Sequence, residues 1–176
     1  MGEQVDSLKR EVYQLASILD RLTPSVAIGV VTFGDRKYDK PVDSFPLTLV
    51  SGSAGNLESL KKYTEKVELQ LGLGDGDNPD QPEAFLRGLQ IATGMNWRSD
   101  SEKKMIVLIT DNPAYEDEES ASINAARAFF GEGGGRMVST VFVPRGNSLD
   151  NTESFLKSVA EAGEGNFVSG GTSITS

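Results

Sequence analysis

The sequence contains no histidine and no cysteine. Without imidazole there is no His-based catalytic triad, no imidazole zinc site and no ordinary side-chain switch near neutral pH. Without thiols there is no disulfide, no thiolate nucleophile and no iron–sulfur ligation, and composition leaves the compartment open. Long apolar runs are also missing. None approaches the roughly 18 residues that a membrane-crossing helix needs, so membrane insertion is not expected. There is no lysine and arginine cluster either. The 17 basic residues are outnumbered by 26 acidic ones, a formal net charge of −9. A surface of that sign repels phosphate backbones, so nucleic acid is not an expected partner. The start, Met1-Gly2-Glu3-Gln4, lacks the basic-then-apolar pattern of a signal peptide.

What is there suits a globular domain. With 176 residues, of which 38% are hydrophobic and 19 are glycine, the chain is long enough to bury a full core, and one domain is expected over 1–169 with a tail at 170–176. Val5, Leu8, Val12, Leu15, Leu19 and Leu22 alternate spacings of three and four, one stripe of an amphipathic helix that Pro24 ends. Residues 26–33 are almost continuously apolar, which predicts a strand buried on both faces, closed by Gly34-Asp35. A weaker edge strand is expected at 47–50, a helix at 57–67 and another from Pro82 to about Thr93. Met105–Thr110, the most hydrophobic run, reads as a central strand ending at Asp111-Asn112-Pro113. Helices at 116–130 and 152–162 alternate with strands at 137–143 and 166–168. Strands alternating with helices predict an α/β fold: a Rossmann-like, doubly wound, mostly parallel sheet with helices on both faces.

In such sheets ligands gather outside the carboxyl ends of the strands. Asp111 follows the most apolar strand directly, and the loop Gly74–Asp80 leads toward a helix start. Carboxylate and hydroxyl oxygens with water suit Mg²⁺, Mn²⁺ or Ca²⁺. A competing reading stays open: Asp111 is equally a turn cap, and Asp75, Asp77 and Asp80 are ordinary turn formers. The loop is not an EF-hand, since Pro79 stands where a ligand belongs and Leu86 where the required Glu belongs. Glu116–Glu119 suits a solvated helix start. Gly131–Gly135 lacks the Lys-Ser/Thr ending of a phosphate-binding loop.

Taken together, several segments resemble a von Willebrand factor A domain. Val26–Phe33 followed by Gly-Asp resembles that family's second strand. Met105–Pro113 resembles its fourth strand, which ends in T-D-x-x-P; here the ending is Thr110-Asp111-Asn112-Pro113. Asp80-Gln-Pro-Glu-Ala resembles the G-x-D-x-P-E-A variant before the third helix, and Trp97-Arg98 recurs in that variant. The resemblance covers nearly the whole chain. It implies a metal-ion-dependent adhesion site at the carboxyl rim, with Asp111 as the ligand after the fourth strand. Asp80 is its best match for the acidic ligand before the third helix, with Asp77 next. A protein partner then completes the coordination with an acidic side chain. The sequence departs from the family at its start, where neither a first strand nor Asp-x-Ser-x-Ser precedes the first helix, as if the chain began just after that motif. The first central strand is therefore expected to be missing and cation binding to be weak. Strand 26–33 is expected to pair with 105–110, to accept a strand from another chain in a homo-oligomer, or to leave a gap, and unpaired buried backbone disfavours the gap.

The expected function is a non-enzymatic protein-binding, adhesion-type module with an incomplete divalent-cation site. The alternative from a different class is a metal-dependent hydrolase or transferase on the same kind of sheet, using Asp111 as nucleophile or ligand. A third is a purely structural interaction domain.

Overall fold

The computed structural model describes residues 12–14, 16–19, 21, 23, 25–36, 41–52, 55–67, 83–144 and 150–170. The described chain falls into two compact units. One holds residues up to Thr32 together with the segment from Asp43 to Val67, and the other holds Phe33–Val42 and everything from Glu83 onward.

In the first unit, residues 12–14, 16–19 and 21 are helical. Val12 and Leu19 of the predicted stripe lie among them, while Val5, Leu8, Leu15 and Leu22 lie outside the described residues. Strand β1 (Ala27–Phe33) pairs with β2 (Val42–Leu49) in an antiparallel hairpin. Beyond β2, the Val50 N–H reaches Val26 O at 2.9 Å, and Ser51 Oγ accepts from Val26 N at 2.6 Å. Helix α1 (Leu57–Lys66) starts at Asn56, whose side chain accepts from Ser59 N, and has Glu58 in its first turn and Lys66 in its last, both complementary to the helix dipole. Ala16, Val50 and Leu60 form a small core, with Val26, Ile28, Val30, Phe45 and Leu57 packed on it. The spacing of 26, 28 and 30 puts one face of the strand on this core. The expectation of a strand buried on both faces is met only in part: every residue of β1 is partly buried. β2 also starts five residues before the expected edge strand at 47–50. Pairing with β1 extends it.

In the second unit, β3 (Lys104–Thr110), β4 (Arg136–Phe142) and β5 (Glu164–Ser169) form a parallel sheet in the order β3-β4-β5. Lys104 registers with Arg136 and Thr110 with Phe142, while the β4–β5 ladder carries an irregularity between Val138 and Thr140. The crossovers are α3 (Glu116–Gly131) and α4 (Thr152–Ala162), and α2 (Phe85–Thr93) packs against α3. Ile106 and Leu108 of β3 and Val138 and Phe142 of β4 meet Phe85, Leu89, Ala126, Phe129, Phe155, Leu156 and Val159 from the helices. Aromatic edges lock this layer, with Phe85 5.8 Å from Phe33 and 5.0 Å from Phe155. Thr140, fully buried, donates to Leu156 O at 2.9 Å and ties α4 to the middle strand. Gly88 permits the approach of Phe33, since a Cβ there would lie 2.9 Å from that ring. Gly135 has φ +70°, and its Cβ would overlap Glu102 O, so glycine is required at the entry to β4.

Two details differ from expectation. Helix α2 begins at Phe85, not Pro82, because Glu83 N–H is given to Pro113 O (3.1 Å) and Ala84 N–H to Gly34 O (2.8 Å). Cover on both faces of the sheet is met on one face only among the described residues. The even-numbered residues of β3 are buried, whereas Met105, Val107 and Ile109 are exposed. Among the described residues β3 pairs with β4 alone. Within those residues, no helix is long and apolar enough to cross a membrane.

Candidate functional site

Three loops of the second unit meet at the carboxyl end of β3. The loop after β1 supplies Gly34, Asp35 and Arg36; the segment before α2 supplies Glu83 and Ala84; the turn after β3 supplies Asp111 to Tyr115. Backbone bonds join them: Glu83 forms an isolated parallel bridge with Ala114, alongside the Glu83–Pro113 and Ala84–Gly34 bonds. The turn itself is set by Thr110. Its Oγ1 accepts from Asn112 N at 3.1 Å and donates to Asn112 O at 2.9 Å. That closed ring reverses the chain directly after the strand and leaves Asp111 half-buried at the rim, with Asn112 Nδ2 at 3.5 Å from its Oδ1. Asn112, Pro113 and Ala114 are buried beneath it.

Beside Asp111 lies a polar constellation. Tyr115 donates its hydroxyl to Oδ1 of the buried Asp35 at 2.6 Å. The Arg36 guanidinium stacks 3.6 Å above the Tyr115 ring and stands 3.4 Å from carboxylate oxygens of Asp117 and Glu118. Solvent screens those ion pairs, so they orient Arg36 more than they stabilise the fold. Burial, then the hydrogen bond to Asp35 and the charge of Asp35, hold the Tyr115 phenol well above its ordinary range. The first turn of α3 is acidic throughout, and burial together with nearby Glu116 raises the Glu119 carboxyl. Glu119 also accepts from Asn151 Nδ2 at 2.9 Å. The rim is thus rich in carboxylates, with one stacked cation.

Of the three predicted metal ligands, Asp111 stands at the strand end where the sequence put it. Asp80 and Asp77 lie outside the described residues. Among the described residues no group of three or more carboxylates is arranged to hold a metal ion. The donors at hand, the Asp111 carboxylate and the Asn112 amide, are oxygen donors of the type hard divalent cations take. Asp35, Arg36 and Tyr115 were not singled out from sequence. Gly34-Asp35 was legible as the end of a strand, and therefore as a rim position, but its partner is 80 residues away. Comparison with protein-family models gives no match, and comparison with curated proteins gives none.

Proposed function

We propose that this chain is a non-enzymatic protein-binding module. In this reading its sheet is the doubly wound, mostly parallel sheet of a von Willebrand A-type domain. A divalent cation, Mg²⁺ or alternatively Mn²⁺ or Ca²⁺, is held weakly at the carboxyl rim by Asp111, with Asp80 and Asp77 as the further ligands. Bound there, the cation supplies a Lewis-acidic point that an acidic side chain of a partner protein can coordinate. The chain's own residues position it: the Thr110 ring fixes the turn that carries Asp111, and the bridged segments at 83–84 and 113–114 keep the neighbouring loops beside it.

The observation that carries the reading is the half-buried carboxylate of Asp111 directly after β3, on a turn closed by side-chain and backbone hydrogen bonds. Ligands of parallel α/β sheets gather at this end of the strands, and a pre-set turn lowers the ordering cost of binding. The test is isothermal titration of the full chain with Mg²⁺ and with Mn²⁺, repeated on Asp111→Ala. Heat in the parent that vanishes in the variant supports the site. Equal heats in both, or none in the parent, sink it.

A further inference from the structure

Strand β3 reads Lys-Met-Ile-Val-Leu-Ile-Thr, and among the described residues it pairs on one side only, with β4. Lys104 N–H bonds Gly135 O and Thr110 O accepts from Val143 N, so the even-numbered residues direct their backbone groups toward β4. Backbone direction alternates along a strand, so Met105, Val107 and Ile109 direct their N–H and C=O groups to the opposite edge. Those same residues carry the exposed apolar side chains, at 52%, 50% and 38%. Proteins usually guard such an edge with a charge, a proline or a bulge. None stands here. The single charged residue, Lys104, is buried and spends its ammonium on Ser101 O (2.8 Å) and Gly134 O (3.1 Å).

We propose that this edge is a self-association surface, on which β3 of a second copy of the chain pairs antiparallel about a two-fold axis at Val107. The occupant follows from self-complementarity. In that register Val107 faces its own mate, and Met105 of one copy faces Ile109 of the other. Each facing pair exchanges both backbone hydrogen bonds, and apolar side chains of the exposed face lie next to apolar side chains. Lys104 falls opposite Thr110, so no like charges meet on the paired strands. The symmetric interface is isologous, so it closes at two copies. It does not rest on the cation site, and a chelator leaves it intact.

Sedimentation equilibrium of the full chain tests it, over a range of concentrations and at low and high salt. A dimer is expected that tightens with salt, because two chains of net charge −9 repel beyond the interface. Val107→Pro deletes an N–H that points away from the β4 ladder, and Val107→Lys sets two ammonium groups side by side. Both are expected to be monomeric with an unchanged circular dichroism spectrum. If the proline variant does not fold, the lysine variant alone decides. Val168→Lys places a charge on exposed Val168 of β5, away from the β3 edge, and is expected to dimerise as the parent does. A parent that stays monomeric throughout overturns the proposal. So does a dimer that survives Val107→Lys, or one that Val168→Lys dissolves.

Discussion

Tyr115 gives the rim its most testable single interaction. Its hydroxyl is a short donor to a buried carboxylate, and Tyr115→Phe removes that donor while keeping the ring under Arg36. A cost of about 1–3 kcal/mol is expected, the usual consequence of withdrawing a partner from a buried acceptor. Chemical denaturation measures it, and an unchanged midpoint would mean that water replaces the hydroxyl without loss. The pH dependence has a definite sign. The folded phenol ionises above the unfolded value of 10.0, so its contribution is fully present below that pH. It is lost as pH rises further, because only the unfolded chain then gains by releasing the proton. Unfolding curves taken from about pH 9 to 11 are expected to show an alkaline decline that Tyr115→Phe lessens. Thr110 and Asp111 invite a paired comparison: Thr110→Val keeps the β-branched shape but removes the oxygen that closes the turn. It is expected to weaken Mg²⁺ heat without deleting any proposed ligand.

At the scale of elements, the helix layer and the middle strand carry the second unit. Leu156 is fully buried between α4 and the sheet, and its carbonyl receives the Thr140 hydroxyl. Leu156→Ala is expected to cost about 2–5 kcal/mol in thermal or denaturant unfolding, as core truncations that leave a cavity do. Gly88→Ala tests the opposite error. The added methyl group would press on the Phe33 ring, itself stacked edge-on against Phe85, and overpacking of that kind costs about 1–3 kcal/mol. A neutral or stabilising result would show that the ring yields at no cost. β4 is laddered on both sides and roofed by α3 and α4. Its amides at Val138, Thr140 and Phe142 are therefore expected to exchange with solvent more slowly than those of β5, which among the described residues has a neighbour on one side.

At the scale of the whole molecule, charge sets the response to salt. Twenty-six acidic groups against 17 basic ones leave the compact state under self-repulsion. Added monovalent salt is therefore expected to raise the unfolding midpoint modestly. A divalent cation bound at Asp111 would raise it further at equal ionic strength, by mass action. Loss of that extra increment in Asp111→Ala separates site binding from screening. The two compact units give such curves a second use, since a difference between probes of each unit would show that they unfold separately.

Much of this protein was fixed by the chain's own patterning. The apolar runs at 26–33 and 105–110, the helical spacing in 116–130 and 152–162 and the stop at Gly163 mark elements within a few residues of where they stand, because periodicity and capping are local. Asp111 was legible for the same reason: it is the first polar residue after the most apolar strand. What local pattern does not contain is partnership. Whether a strand is roofed on one face or two depends on which elements lie above it, so β3 reads as central yet exposes its odd-numbered side chains. The joining of Asp35 to Tyr115, and the loss of a first helical turn at 83–84 to Pro113 and Gly34, are hydrogen bonds between distant segments. Only the folded chain brings those donors and acceptors within reach.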